Sequence, residues 1–192
     1  MAFDASWWEE HYRSAEGEGH HGPGPWLADE VGGLTPGTAL DAGCGTGGAA
    51  IWLAQQGWTV TAVDVSGTAV ERARARAAEQ SPEVTLRLTW LVADLSTWEP
   101  TNPFDLVVTQ YVHPDTGFEV FVGRLAECVA PGGTLFVAGH DHADSHSAAQ
   151  APQDASIDAQ AVAGVLDPEE WQVVTAETRA GRDVVVNARR TA

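Results

Sequence analysis

Thr38-Ala39-Leu40-Asp41-Ala42-Gly43-Cys44-Gly45-Thr46-Gly47-Gly48 is the stretch that decides the fold of this 192-residue chain. Pro36-Gly37 opens it, a short apolar run follows, and the run leads straight into closely spaced glycines. An apolar run of that length bounded by turn residues reads as a buried strand. The glycines let the chain bend tightly and bring backbone amides close to a ligand. Ala49 to Gln56 continues as a helix that stops at Gly57, a residue suited to a helix C-terminus. A strand, a glycine-rich bend and a helix in immediate succession open a parallel α/β sheet whose ligand edge lies at the bend.

The same alternation continues downstream. Trp58 to Val63, rich in β-branched residues, reads as a second strand. Ser66 caps a long helix through Gln80 with Ala69, Val70, Ala73 and Ala77 on one side, ended by Ser81-Pro82. Val84 to Ala93 is expected to be the third strand, and Phe104-Asp105-Leu106-Val107-Val108-Thr109 the fourth. A helix from about Glu119 to Val129 is expected to close at Ala130-Pro131-Gly132-Gly133, before a fifth strand over Thr134 to Ala138. Alternating strands and helices call for a parallel sheet covered on both faces. Trp171 to Glu177 and Asp183 to Arg189 differ, because the short connection around Gly181 cannot cross back over a sheet. These two strands must pair antiparallel. The expected fold is α/β: a Rossmann-like doubly wound sheet, mostly parallel, with a C-terminal antiparallel hairpin. One domain spans 1–192: an N-terminal lid or cap over 1–37, a ligand-binding core over 38–140, a mobile loop over 141–158, and a final helix and hairpin over 159–192.

Composition excludes several classes of function. Ten arginines and no lysine stand against 27 acidic residues, a formal charge of −17, which repels nucleic-acid phosphates and anionic membranes. The start, Met1 to Glu10, carries neither a basic segment nor an apolar run, so it does not read as a signal peptide. Two cysteines, Cys44 and Cys128, are too few for a disulfide scaffold. A reduced, cytoplasmic protein is expected, with no nucleic-acid or membrane partner and an oligomeric state the sequence does not specify.

The chemistry gathers where the strands end. Gly43, Gly45 and Gly48 satisfy the dinucleotide pattern G-x-G-x-x-G, and Asp64 follows about twenty residues on, where an acid grips ribose hydroxyls. An adenosine cofactor is therefore expected. Asp41 stands in the approach to the bend, where it would repel a pyrophosphate but suit a cationic amino group. Asp94, at the end of the third strand, is a third acid on the same sheet edge. The terminal hairpin also departs from a six-stranded parallel nicotinamide-binding sheet.

Ala39 to Gly47 resembles the first motif of class I S-adenosylmethionine-dependent methyltransferases. Val63-Asp64 is similar to their second acidic position, Ala93-Asp94-Leu95 to the third, and Phe104-Asp105-Leu106-Val107 with Ala130 to Leu135 to the fourth- and fifth-strand signatures. The likeness covers roughly residues 30 to 140. Trp8-Glu9-Glu10-His11-Tyr12 resembles the start of small bacterial relatives grouped with tellurite-resistance and thiopurine methyltransferases. The resemblance implies S-adenosylmethionine as cofactor, with Gly43, Cys44, Gly45 and Gly47 along its methionine part and Asp41 near its amino group. It implies that Asp64, with Val65 beside it, takes the ribose hydroxyls, that Asp94 and Leu95 take the adenine, and that Gln110 and Tyr111 line the transfer site. Trp7, Trp8 and Tyr12 then form either a lid over that site or ordinary packing onto the sheet.

The implied reaction is in-line displacement on the sulfonium carbon by a small-molecule acceptor. His113, after the fourth strand, and His140, after the fifth, are the candidate bases, with Tyr111 between them. His140, Asp141, His142, Asp144 and His146 match no compact metal signature, and no metal is expected. Arg72, Arg74 and Arg76, with Glu71 and Glu79 nearby, read as a solvated helix face. The alternatives are an S-adenosylmethionine-binding protein without methyl transfer and an NAD-dependent oxidoreductase.

Overall fold

A computed structural model describes residues 4–14, 22–141, 157–180 and 183–192. The hairpin turn at 181–182, most of the expected loop over 141–158, and His142, Asp144 and His146 lie outside the described residues.

Seven strands form one sheet: β1 (Thr38–Ala42), β2 (Thr59–Asp64), β3 (Leu88–Val92), β4 (Phe104–Gln110), β5 (Val129–His140), β6 (Trp171–Arg179) and β7 (Asp183–Arg190). Their order is β3-β2-β1-β4-β5-β7-β6. The first five run parallel, and β7 pairs antiparallel with both β5 and β6. The hairpin therefore does not simply extend the sheet in chain order; its second strand goes inside and its first takes the edge. Side chains explain the choice. Val184, Val185, Val186 and Ala188 are fully buried, and such a strand needs cover on both faces. In β6, Val173 and Val174 face solvent, as an edge position permits.

Alternation along the strands feeds two cores. Leu40, Ala42, Val63 and Val107 pack on one face with Phe121, Val122 and Leu125 of helix α6 (Phe118–Glu127) and Val162 of α7 (Ala159–Gly164). Ala39, Val60, Ala62, Leu106 and Val108 pack on the other with α3 (Gly48–Gln55) and with Leu27 and Val31 of α2 (Leu27–Val31). Helix α4 (Gly67–Ala78) starts at Ser66, whose Oγ accepts from the Ala69 amide at 3.1 Å, and buries Ala69, Val70, Ala73 and Ala77 as their spacing requires. N-terminal helix α1 (Ala5–Arg13) is capped by Asp4 and buries no residue fully.

Two expected boundaries shift. Val84 belongs to a short helix, α5 (Pro82–Thr85), rather than to the third strand. Pro82 presets the first helical φ there, and Thr85 Oγ1 donates to the Ala77 carbonyl at 3.0 Å, so the strand waits until Leu88. Helix α6 ends at Glu127, and Val129 already pairs with Phe104. The Pro131-Gly132-Gly133 turn interrupts pairing inside β5 instead of preceding it; the next paired residue, Thr134, meets Leu106. The arginines also depart from a purely solvated face: Arg74 donates to the Trp90 carbonyl at 3.0 Å and Arg76 to the Thr46 carbonyl at 2.6 Å.

The segment before β1 is tied to the far end of the sheet. Glu30 accepts from Arg179, from Asn187 Nδ2 at 2.9 Å and from Thr175 Oγ1 at 3.1 Å, and Trp26 Nε1 donates to Asp183 Oδ2 at 3.0 Å. Removing one partner from a buried ionic network leaves the others unpaired. Glu30→Ala is expected to cost about 2 kcal/mol and to lower the thermal midpoint by roughly 4–8 °C, measured by differential scanning calorimetry. An unchanged midpoint contradicts this account of the network.

Candidate cofactor and active site

Strand order reverses between β1 and β4, the position where doubly wound sheets bind ligands beyond their carboxyl ends. A cleft of about 350 Å³ opens there. Asp41, the Gly43–Thr46 bend and Asp64 form one wall; Gln110, Tyr111 and Val112 after β4 form another; Trp8, His11 and Tyr12 of α1 cover it, together with Gly22 and Gly24.

The bend is held by backbone and by one carboxylate. The amides of Gly43 and Cys44 both donate to the Val63 carbonyl, at 2.8 and 2.9 Å. Asp64 Oδ2 accepts from the Gly45 amide at 2.8 Å while Oδ1 accepts from the Ser66 amide at 2.9 Å. Burial pushes the Asp64 carboxyl above the usual range, against the pull of the Ser66, Gly45 and Val65 amides. Gly45 has φ +51°, and a Cβ on it would stand 2.7 Å from Tyr12 Oη, so both conformation and space demand glycine. Arg76 fixes the next residue, reaching Thr46 through its carbonyl and its hydroxyl.

Asp41 is 2% exposed, and its Oδ2 lacks a hydrogen-bond partner among the described residues. Burial raises its carboxyl from the ordinary 3.8 to about 7, opposed by the Ala50 amide and assisted by Asp64. Gln110 Oε1, across the cleft, is likewise buried without a partner. Buried acceptors are almost always satisfied in folded proteins, so two orphans facing one cleft call for a ligand that brings N–H donors. Burial, and then the charge of Asp64, also raises the Tyr12 hydroxyl, which stays a neutral donor. Cys44 is buried as an uncharged thiol, its pKa raised by burial and by Asp41.

The remaining expected residues divide. Tyr111 lines the cleft with φ +55°, a conformation that costs a non-glycine residue about 1 kcal/mol or more, and its amide donates to the Ala138 carbonyl at 2.9 Å. His113 and His140 do not line it. His113 stacks on Trp8, with ring centroids 6.0 Å apart, and His140 packs 4.8 Å from the Tyr111 ring with Nδ1 3.7 Å from Asp183. Asp94 is exposed beside the end of β2 and spends Oδ1 on the Ser96 amide at 2.8 Å; Leu95 lies against a separate hollow with Trp98 and Leu125. Gly47 caps α3 behind the bend. Of the aromatic residues expected in a lid, Trp8 and Tyr12 face the cleft.

Sequence reasoning passed over His11, Gly24, Val112 and Glu9. Gly24 carries a legible signal after the fact: a Cβ there would collide with the Gln110 side chain. Glu9 shows locally only its i,i+4 pair with Arg13; the partners that tie it to the cleft, Ser66 and Thr68, lie more than fifty residues away. Among the described residues no group of three or more metal-ligating side chains is present, and no helix is long and apolar enough to cross a membrane.

Comparison with known proteins agrees with this geometry. Residues 39–133 match the family model of a methyltransferase domain. The ubiquinone biosynthesis O-methyltransferase of a Caulobacter species is 40% identical over 101 residues, covering 52% of this chain and 39% of the relative. A probable thiol methyltransferase of Arabidopsis thaliana is 34% identical over 118 residues, covering 59% and 51%. The chain thus spans about half or less of the length of the curated relatives it matches. A magnesium protoporphyrin IX methyltransferase from Synechocystis with bound S-adenosylmethionine superposes with a TM-score of 0.70 at 18% identity, over 100% of this chain and 99% of that one. A glycopeptide N-methyltransferase complexed with S-adenosylmethionine gives 0.62 at 17% identity, over 84% and 90%. Residues 39–133 thus correspond to a methyltransferase domain, on a fold shared with methyltransferases solved with S-adenosylmethionine bound.

Asp41 provides a test that needs no ligand. A carboxyl whose folded pKa exceeds its unfolded one stabilises the fold at low pH, and that stability is lost as pH rises through about 7. Asp41→Asn is expected to match the parent at about pH 3.5, to pull ahead as pH rises from the ordinary 3.8 to about 7, and to exceed it in thermal midpoint at about pH 8, by differential scanning fluorimetry. Parallel pH profiles contradict the burial argument.

Proposed function

We propose that the chain transfers a methyl group from S-adenosylmethionine to a small-molecule acceptor in the cleft beneath α1. The observation that carries this reading is the pair of buried acceptors without a partner among the described residues, Asp41 Oδ2 and Gln110 Oε1, in a glycine-walled cleft at the sheet's switch point. A carboxylate and an amide oxygen suit an ammonium group and repel a diphosphate. When bound, the cofactor supplies the electrophilic methyl carbon and the sulfide leaving group.

The chain's own residues bind, orient and desolvate. Asp41 accepts from the amino group, and the Gly43–Gly47 bend with Cys44 lies along the methionine portion. Asp64 accepts the ribose hydroxyls on the lone pairs left free by the Gly45 and Ser66 amides, with Val65 alongside. Asp94 and Leu95, outside the cleft lining, take the adenine at its open rim. Gln110 and Tyr111 bound the side where the acceptor approaches. Holding two reactants in line removes on the order of 7–11 kcal/mol of barrier, so positioning carries most of the catalysis. His113 and His140 each stand one ring behind the lining, which favours an acceptor that arrives as a thiolate or a neutral amine and needs little proton removal. The cover of α1, Gly22 and Gly24 favours a compact acceptor, and the −17 charge disfavours a nucleic acid. The opening Trp8 to Tyr12 supports placing the chain among the small tellurite-resistance and thiopurine enzymes.

Titration calorimetry with S-adenosylhomocysteine is expected to show specific binding, and NAD none. Near pH 6 binding should release a proton as Asp41 ionises against the ammonium, a release absent in Asp41→Asn. Asp64→Ala should weaken binding by tens of fold, the loss of charge-assisted hydrogen bonds worth roughly 1.5–3 kcal/mol each. Turnover of methyl-labelled cofactor against thiols, amines and phenols then identifies the acceptor. Absent binding of S-adenosylhomocysteine by the folded parent protein overturns the reading.

A further inference from the structure

Helix α1 covers the cleft with Trp8 and Tyr12 only partly buried, so its apolar packing is limited and a polar attachment adds to it. Glu9 supplies the polar attachment. Its Oε2 accepts from Ser66 Oγ at 2.8 Å and from the Thr68 amide at 3.2 Å, and its Oε1 accepts from Thr68 Oγ1 at 2.5 Å. The carboxylate sits at the N-terminus of α4, where the unpaired amides of a helix favour negative charge. These hydrogen bonds hold the Glu9 carboxyl down at about 2. The attachment therefore remains ionised throughout the range in which proteins are handled.

Glu9 is joined to the cofactor bend through only two residues. Ser66 donates its hydroxyl to Glu9 and its amide to Asp64 Oδ1; Asp64 Oδ2 then holds the Gly45 amide. At the other end of the same helix turn, Tyr12 Oη lies over Gly45 itself, so α1 meets the bend twice, once through this relay and once by direct cover. The Glu9 charge also raises the Asp64 carboxyl, so a ligand that donates to Asp64 relieves repulsion between two neighbouring carboxylates. Position of the lid and occupancy of the ribose acid are thereby linked through Ser66.

We propose that Glu9 is a positioning residue that latches α1 over the cleft and, through the Ser66–Asp64–Gly45 relay, makes closure of that lid and retention of the cofactor depend on each other. The proposal rests on the cofactor reading above and adds a residue outside the cleft lining to it. The lid must open for ligands to exchange, so the latch sets how fast the cofactor leaves rather than where it binds.

Two measurements test it. In the first, trypsin cleavage at Arg13 reports release of α1 in the protein without ligand; because Arg13 itself pairs with Glu9 at 3.4 Å, Thr68→Val, which spares that pair, should also be cut faster than the parent. Glu9→Ala should be cut about tenfold faster than the parent, and Glu9→Gln, which keeps an acceptor oxygen for Ser66 and Thr68, should fall between them. In the second, stopped-flow tryptophan fluorescence follows S-adenosylhomocysteine leaving the protein. Glu9→Ala should raise the dissociation rate about tenfold with little change in association rate, Glu9→Gln should restore part of it, and bound ligand should protect Arg13 in the parent but not in Glu9→Ala. Circular dichroism and a thermal midpoint within a few degrees of the parent establish that the variants are folded. Equal cleavage of parent and Glu9→Ala overturns the latch, and faster cleavage with unchanged dissociation overturns the coupling. If the parent binds no S-adenosylhomocysteine, the cofactor reading and the coupling fall together, while the cleavage comparison still decides the latch.

Discussion

The Asp64 carboxylate, buried at the end of β2, holds the Gly45 amide with one oxygen and the Ser66 amide with the other. By doing so it fastens the bend that follows β1 to the start of α4. The cleft follows from that fastening. With Gly45 pinned, Asp41 is left behind the bend with an oxygen that no group among the described residues reaches, and Tyr12 can settle directly over the glycine. Arg76 secures the neighbouring Thr46 from the same helix. The acid thus shapes the cleft before it meets any ligand, which explains why burial raises its carboxyl while three amides work to keep it charged.

Legibility in the sequence followed the range of the interactions. β1, β2, β4 and α4 were readable because apolar period, glycine stops and the Ser66 cap are local features that tertiary packing did not override. The antiparallel pairing of the last two strands was equally local, dictated by a connection too short to cross the sheet. Their order was not. That β7 enters and β6 takes the edge depends on which strand can be covered on both faces, a comparison between the unbroken valine run at Val184 to Val186 and the exposed Val173 and Val174. The shifted start of β3 and the interrupted β5 arose where proline and glycine act at once as stops and as permissive residues, at Pro82 and at Gly132.

The site divides along the same line. Asp41, Gly43, Cys44, Gly45 and Asp64 announce themselves as a motif, and the structure brings all five to one cleft together with Gln110 and Tyr111. Asp94 occupies the same sheet edge yet stands exposed and outside the cleft lining, because an acid two residues beyond a strand end is free to close its own turn onto Ser96. The tethering roles of Glu9, Glu30 and Trp26 were not visible in sequence, since each tether runs to a partner from 57 to 157 residues away. Residues that place the cover over the cleft are therefore the least visible ones, while residues forming its floor are the most visible.

The inserted final strand has a consequence for how the sheet is completed. On the side away from β4, β5 presents a row of backbone amides and carbonyls that β7 satisfies, and β7 follows every other described strand in the chain. β6, made just before it, has no strand of its own to join until β7 arrives and carries it to the edge. The nascent chain thus holds a complete glycine bend and both of its acids while the interior edge of β5 is still open. An unpaired, apolar edge is a template for other chains, so the interval before that last strand docks is when the molecule is most exposed to misassembly.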